Sequence, residues 1–162
     1  MLHLVPMTDP EFQDFRATEI AGYAKAHVRA GRWRPEESVR LAEQEFNDLL
    51  PDGLSTPNQY FFTLRDETLL IPVGSLWFAV QQEEGSEPTA FVFKIVIFEA
   101  FRRQGYGSQA MQALEEQVRH LGLSTISLHV FGHNHEARAL YEKLGYVTTN
   151  VTMRKTLTPL AD

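Results

Sequence analysis

The chain has no cysteine, and that absence removes disulfides, thiolate nucleophiles and Cys-ligated zinc. It also lacks a run of about 18 apolar residues, the length that a membrane-crossing helix needs. Its start, MLHLVPMTDPEF, has no basic segment leading into an apolar one. Together these absences predict a cytoplasmic protein with no membrane partner. Positive charge is scarce: 15 Lys and Arg stand against 21 Asp and Glu, a formal net charge of -6. Nucleic-acid and anionic-membrane binders rely on a basic face, so the balance argues against both. No internal repeat or low-complexity segment is present.

What remains is 162 residues, 43% of them hydrophobic, enough to bury one substantial core. A single domain over residues 1–162 is expected. Residues 2–7 (LHLVPM) read as a first strand, and Thr8 or Asp9 caps a helix with Pro10 in its first turn. That helix carries Phe12, Phe15, Ile20, Tyr23, Ala24 and Val28 as its apolar set and ends at Gly31. Pro35 opens a second helix to about Leu50, with Val39, Leu41, Phe46, Leu49 and Leu50 expected inside. Strands are predicted over 59–65, 71–82 and 89–97, the last two joined as an antiparallel hairpin by the acidic turn at 83–88. A helix to about Leu121, a strand over 125–131, a helix over 134–144 and one or two closing strands in YVTTNVTMRKTL (146–157) complete the chain. The order predicts a mixed α/β (α+β) fold with a mostly antiparallel sheet.

The stretch FVFKIVIFEAFRRQGYGSQAMQAL (91–114) organises the rest. An apolar strand feeds a loop with two arginines and two glycines, and a helix begins there. Free N–H groups and the helix dipole at such a start favour an anion, a phosphate or pyrophosphate. Gly105, Gly107 and Ala110 satisfy the dinucleotide pattern G-x-G-x-x-A. That pattern should follow its strand directly, however, and the next strand, ISLHVF, offers no acid for a ribose. A P-loop is excluded because no Gly-Lys-Ser/Thr occurs. The glycines let phosphate oxygens approach the backbone N–H groups of residues 103–108, which include Gln104, Tyr106 and Ser108. Arg102 and Arg103 either neutralise the phosphates or are simply solvated.

Arg102-x-x-Gly105-x-Gly107 after a hydrophobic strand resembles the acetyl-CoA-binding motif of the GCN5-related N-acetyltransferases (GNAT), Q/R-x-x-G-x-G/A. The block LHVFGHNHEARALYEKLGY (128–146) is similar to the later part of the same family, with Asn134, Ala137, Leu140, Tyr141, Leu144, Gly145 and Tyr146 in its spacing. The match spans about residues 91–157; the first ninety agree only in element order. The resemblance implies a GNAT fold, with helices on both faces of the sheet and fourth and fifth strands that splay apart. Glu99 to Phe101, or a bulge just before, would supply the distortion. It further implies acetyl-CoA as cofactor, with pantetheine bonded to the fourth-strand backbone at Ile95 and Ile97. Asn134 either contacts pantetheine or only caps its helix, and Tyr141 corresponds to the family's general acid.

The implied reaction is N-acetylation of a primary amine on a small molecule or peptide, by direct attack through a tetrahedral intermediate. A non-catalytic acyl-CoA sensor of the same fold is the alternative. An alkyl ammonium has a pKa of about 10, so a base is required. Some family members carry Glu early on the fourth strand, where this chain has Phe91. Glu19, Glu99 and His129 are the remaining candidates, with ordered waters as a substitute. Tyr23 and Trp33 stand where relatives commonly build the acceptor pocket. Lys94 is read as solvated at the sheet face. His129, His133 and His135 form H-x3-H-x-H without a carboxylate, so no metal is expected. Homodimers are common in the family, although no interface is legible here.

Overall fold

Thr8 sets the first helix. Its hydroxyl accepts the Glu11 N–H at 3.4 Å, while the Glu11 carboxylate accepts the Thr8 N–H at 2.9 Å. This reciprocal capping box starts α1 (Asp9–Arg29) immediately after β1 (Leu2–Pro6). The computed structural model describes residues 1–161. Gly31, at φ 72°, turns the chain out of α1 toward α2 (Pro35–Leu49). Three strands follow: β2 (Gln59–Asp66), β3 (Pro72–Gln81) and β4 (Thr89–Ile97). A 3₁₀ turn over Glu99–Phe101 leads to α3 (Tyr106–His120) and then β5 (Ile126–Leu128). The described chain falls into two compact units, Met1–His129 and the residues from Val130 onward. The second unit holds α4 (His135–Lys143).

The sheet runs β1-β2-β3-β4-β5, antiparallel throughout except for the parallel β4–β5 pair. This is the mixed, mostly antiparallel α/β fold that the sequence predicts. Helices cover both faces because strand side chains alternate. Phe61 and Trp77 point toward α1 and α2 and join Phe12, Phe15, Ile20, Ala42 and Phe46 in one core cluster. Phe12 is 1% exposed and meets Phe61 edge to face at 4.9 Å. On the other side, Asp66 receives the buried Tyr106 hydroxyl at the start of α3.

Three expectations are corrected. The buried stripe of α2 is Ser38, Ala42 and Phe46, while Val39 and Leu49 are exposed. Spacing of four residues makes these one helix face, and two small side chains suit a close approach to α1. The fifth strand is only Ile126–Leu128, not 125–131, because its ladder to β4 covers only Ala90–Val92. Residues 146–157 form no strand, and Val147, Val151, Met153 and Leu157 are exposed. Their β-branched residues supply propensity, but a strand needs a ladder, and none pairs with them among the described residues.

Candidate active site

β4 carries the first part of the site. Its register to β3 pairs Trp77 with Lys94 but Phe78 with Val92, so Phe93 is an extra residue, a bulge. β5 accompanies β4 only to Val92. Beyond it, the β4 edge over residues 93–97 has no strand partner on that side among the described residues, and the fourth and fifth strands part. The bulge supplies the predicted distortion, and the 3₁₀ turn at Glu99–Phe101 adds a second bend.

The loop that follows bears two left-handed residues, Arg103 (φ 62°) and Gly105 (φ 83°). Gly105 is the N-cap of α3 and provides no side-chain cap, so the first-turn N–H groups at 106–108 keep their donor capacity. A Cβ built on Gly105 meets nothing within 4 Å, so the cradle opens outward. Left-handed turns of this kind form the backbone concavities that bind anions. Arg102 is exposed, and its Nε–H donates to the Ile97 carbonyl at 3.1 Å. Gln104 reaches back to the Ala100 carbonyl at 3.3 Å. Tyr106 is buried, and its hydroxyl donates to Asp66 at 2.9 Å, so only its backbone N–H faces an anion. Ser108 is half-buried in the first helical turn. This loop fits a pyrophosphate, and the free β4 edge beside it fits an extended amide chain.

A separate open cleft of about 260 Å³ lies between α1 and the sheet. Glu11, Asp14 and Glu19 of α1 line it, with Thr63, Ser75 and Val96 from β2, β3 and β4. Arg65 pairs with Glu11, and Lys94 lies 3.6 Å from Glu19. Burial pushes the Glu19 carboxyl up, against the opposing pull of Lys94. Glu11 is shifted down, chiefly by the Thr8 N–H. Lys94 is thus an ion-pair partner rather than a simply solvated side chain.

The other candidates lie elsewhere. Tyr23 donates to Glu45 at 2.5 Å, and burial together with that carboxylate pushes its hydroxyl up to about 12. Trp33 stacks on His27 at 4.0 Å, and Tyr23 meets Trp33 edge to face at 5.7 Å. These aromatics join α1 to the α2 side and do not line the cleft that holds Glu19. His129 and Glu99 are exposed. In the second unit, Asn134 caps α4, its side-chain oxygen accepting the Ala137 N–H at 3.2 Å. Tyr141 is half-buried, which raises its hydroxyl above the ordinary value of 10.0. Among the described residues no group of three His, Asp or Glu side chains is placed to hold a metal ion, and no helix is long and apolar enough to cross a membrane.

Asp14, Ser75 and Asp66 were not singled out by sequence. A signal for the cleft existed in the spacing of Glu11, Asp14 and Thr18 along α1, and in a serine interrupting PVGSLWFAV.

A sequence profile described as the Acetyltransferase (GNAT) family matches residues 27–146. The uncharacterized N-acetyltransferase YycN of Bacillus subtilis (strain 168) is 40% identical over 154 residues, which are 95% of this chain and 97% of that protein. The crystal structure of YycN superposes with a TM-score of 0.84 at 38% identity, over 98% of this chain and 100% of that one. At the level of fold alone, AAC(6')-Iy in complex with the bisubstrate analog CoA-S-monomethyl-acetylneamine superposes at a TM-score of 0.60 and 14% identity, covering 98% of this chain and 99% of that one. With the bulged β4, the parted β5 and the glycine-capped α3 in place, this chain belongs to the acetyltransferase (GNAT) family.

Proposed function

We propose that the chain is an N-acetyltransferase that carries acetyl from acetyl-CoA directly to a primary amine in the cytoplasm. The supporting observation is the left-handed Gly105 start of α3, whose first N–H groups no side chain caps, next to a β4 edge with no strand partner among the described residues. Acetyl-CoA supplies an activated thioester carbonyl. The N–H groups of 106–108, with Arg102, Arg103, Gln104 and Ser108, bind the pyrophosphate. Backbone groups at Ile95 and Ile97 pair with the pantetheine amides as an added strand would. A carbonyl has two lone pairs, so the Arg102 bond to Ile97 leaves one for this purpose.

Glu19 is the base. Among the three candidates it alone lines the cleft, and burial raises its carboxyl toward the range where a general base works. It takes the proton that an ammonium must lose before its nitrogen can bond to the carbonyl carbon. Tyr141 returns a proton to sulfur as the C–S bond breaks, a role carried over from its position in the N-x-x-A-x-x-L-Y block. At an ordinary value of 10.0 that phenol is already protonated at neutral pH, and burial raises it further. Asn134 adds a pantetheine contact through its amide.

Release of CoA thiol with a panel of amines tests the whole, and Tyr141→Phe tests the acid. Turnover should fall about a hundredfold in that variant, with acetyl-CoA affinity retained. Unchanged turnover with a good acceptor would remove Tyr141 from the mechanism. Tight acetyl-CoA binding with no turnover on any amine would identify a sensor.

A further inference from the structure

We propose that Asp66, on β2, is a positioning residue for the pyrophosphate cradle, aiming the first N–H groups of α3 through the Tyr106 hydroxyl. This role rests on coenzyme A being the ligand of that loop, and the experiment below separates the two.

α3 starts on a residue that cannot hold it. Gly105 has φ 83° and no side chain caps the helix, so the direction of the first turn depends on what grips residue 106. The buried side chains of α3 are Tyr106, Ala110, Met111, Leu114 and Val118, and all but the first lie beyond the opening turn. Tyr106 is therefore the buried side chain of the turn that carries the donors. Gly107, Ser108 and Gln109 beside it are half-buried.

Its ring is gripped at two points. Phe101, in the 3₁₀ turn on the other side of the loop, meets it edge to face with centroids 6.4 Å apart. At the far end of the ring, the hydroxyl donates to Asp66 Oδ2 at 2.9 Å, a buried bond. The carboxylate is itself pinned. Asp66 Oδ1 accepts the Thr68 N–H at 2.8 Å and the Leu69 N–H at 2.9 Å, and the residue lies opposite Leu2 in the β1–β2 ladder. Packing alone would hold a phenylalanine at 106; the hydrogen bond to an ionised acceptor adds a fixed point. Backbone donors need that fixed start, because each bond to a phosphate weakens steeply as its angle closes. The same bond ties α3 to the sheet, so stability alone cannot reveal the positioning role.

The test pairs calorimetry of CoA binding with thiol release from acetyl-CoA and from S-acetylpantetheine, which has no pyrophosphate. In Tyr106→Phe, CoA affinity should fall about fivefold to tenfold, and the loss should appear in KM for acetyl-CoA with kcat unchanged. S-acetylpantetheine should be used as well as by the unaltered chain. Losing the hydroxyl leaves Asp66 its Thr68 and Leu69 donors, so this variant should fold, which thermal melts check. Asp66→Asn keeps the link with its polarity reversed, amide N–H to phenol oxygen, and should hold CoA within about twofold of the unaltered chain. Asp66→Ala should weaken CoA as Tyr106→Phe does. Unchanged CoA affinity in Tyr106→Phe, or equal losses with acetyl-CoA and S-acetylpantetheine, would overturn the role and leave the ligand in place. CoA binding weakened in Tyr106→Phe but not in Asp66→Asn, with no thiol release to any amine, would uphold the role and refute the transfer. No CoA binding by the unaltered chain would remove the cradle and the role of Asp66 together.

Discussion

Gly74 faces Val96 so closely that an added Cβ would lie 2.2 Å from that carbonyl oxygen. A backbone atom cannot yield as a side chain does, so Gly74→Ala should cost about 1–3 kcal/mol, read from urea unfolding. Glu19 makes a prediction of opposite character. Burial raises its carboxyl above 4.5, so between the unfolded and folded values the native state holds more protons. Stability therefore falls as pH rises from 4.5 through the folded value and is level above it. Glu19→Gln should flatten that segment in denaturation midpoints taken across acid pH. In the same variant kcat/KM should drop about a hundredfold if the carboxylate is the base. A normal pH profile with full activity would leave Glu19 only its pairing with Lys94.

The ends of α1 were readable because Thr8, Pro10 and Gly31 act through their own backbone neighbours. Thr8→Ala breaks the capping box and should cost about 1 kcal/mol, measurable by thermal or urea melts. β4 was readable to the residue, because β-branched and aromatic residues lie between an acidic turn and a proline-free bend. The inward face of α2 was not, since small Ser38 and Ala42 are inside for closeness, which hydrophobicity does not register. Nor was the absence of strand in 146–157, where propensity is local and pairing is not. The anion loop was legible because residues 102–108 lie together in the chain. The acidic cleft was hidden for the contrary reason: Asp14, Thr63, Ser75 and Val96 come from four elements, and only the register of the sheet brings them together.

Two neighbours on β2 tie the sheet to different layers. Arg65 pairs with Glu11 at the start of α1, and Asp66 accepts from Tyr106 at the start of α3. Asp66 also accepts the Thr68 and Leu69 N–H groups, and its carboxyl is held down chiefly by Leu69. Its contribution is present above the ordinary value of 3.8 and is lost as pH falls through the folded one. Glu11→Gln and Tyr106→Phe act on opposite faces with no shared partner. Their destabilisations should therefore add to within about 0.5 kcal/mol in urea melts of the single and double variants.

The side-by-side placement of Arg65 and Asp66 also proofreads assembly. If β2 slipped by one residue, the two side chains would change faces, the arginine to the side of α3 and the aspartate to the side of α1, and each would leave its partner. A misregistered sheet would thus lose both anchors. Correct alignment of the central strands is enforced by charge as well as by the apolar alternation, before any ligand is present.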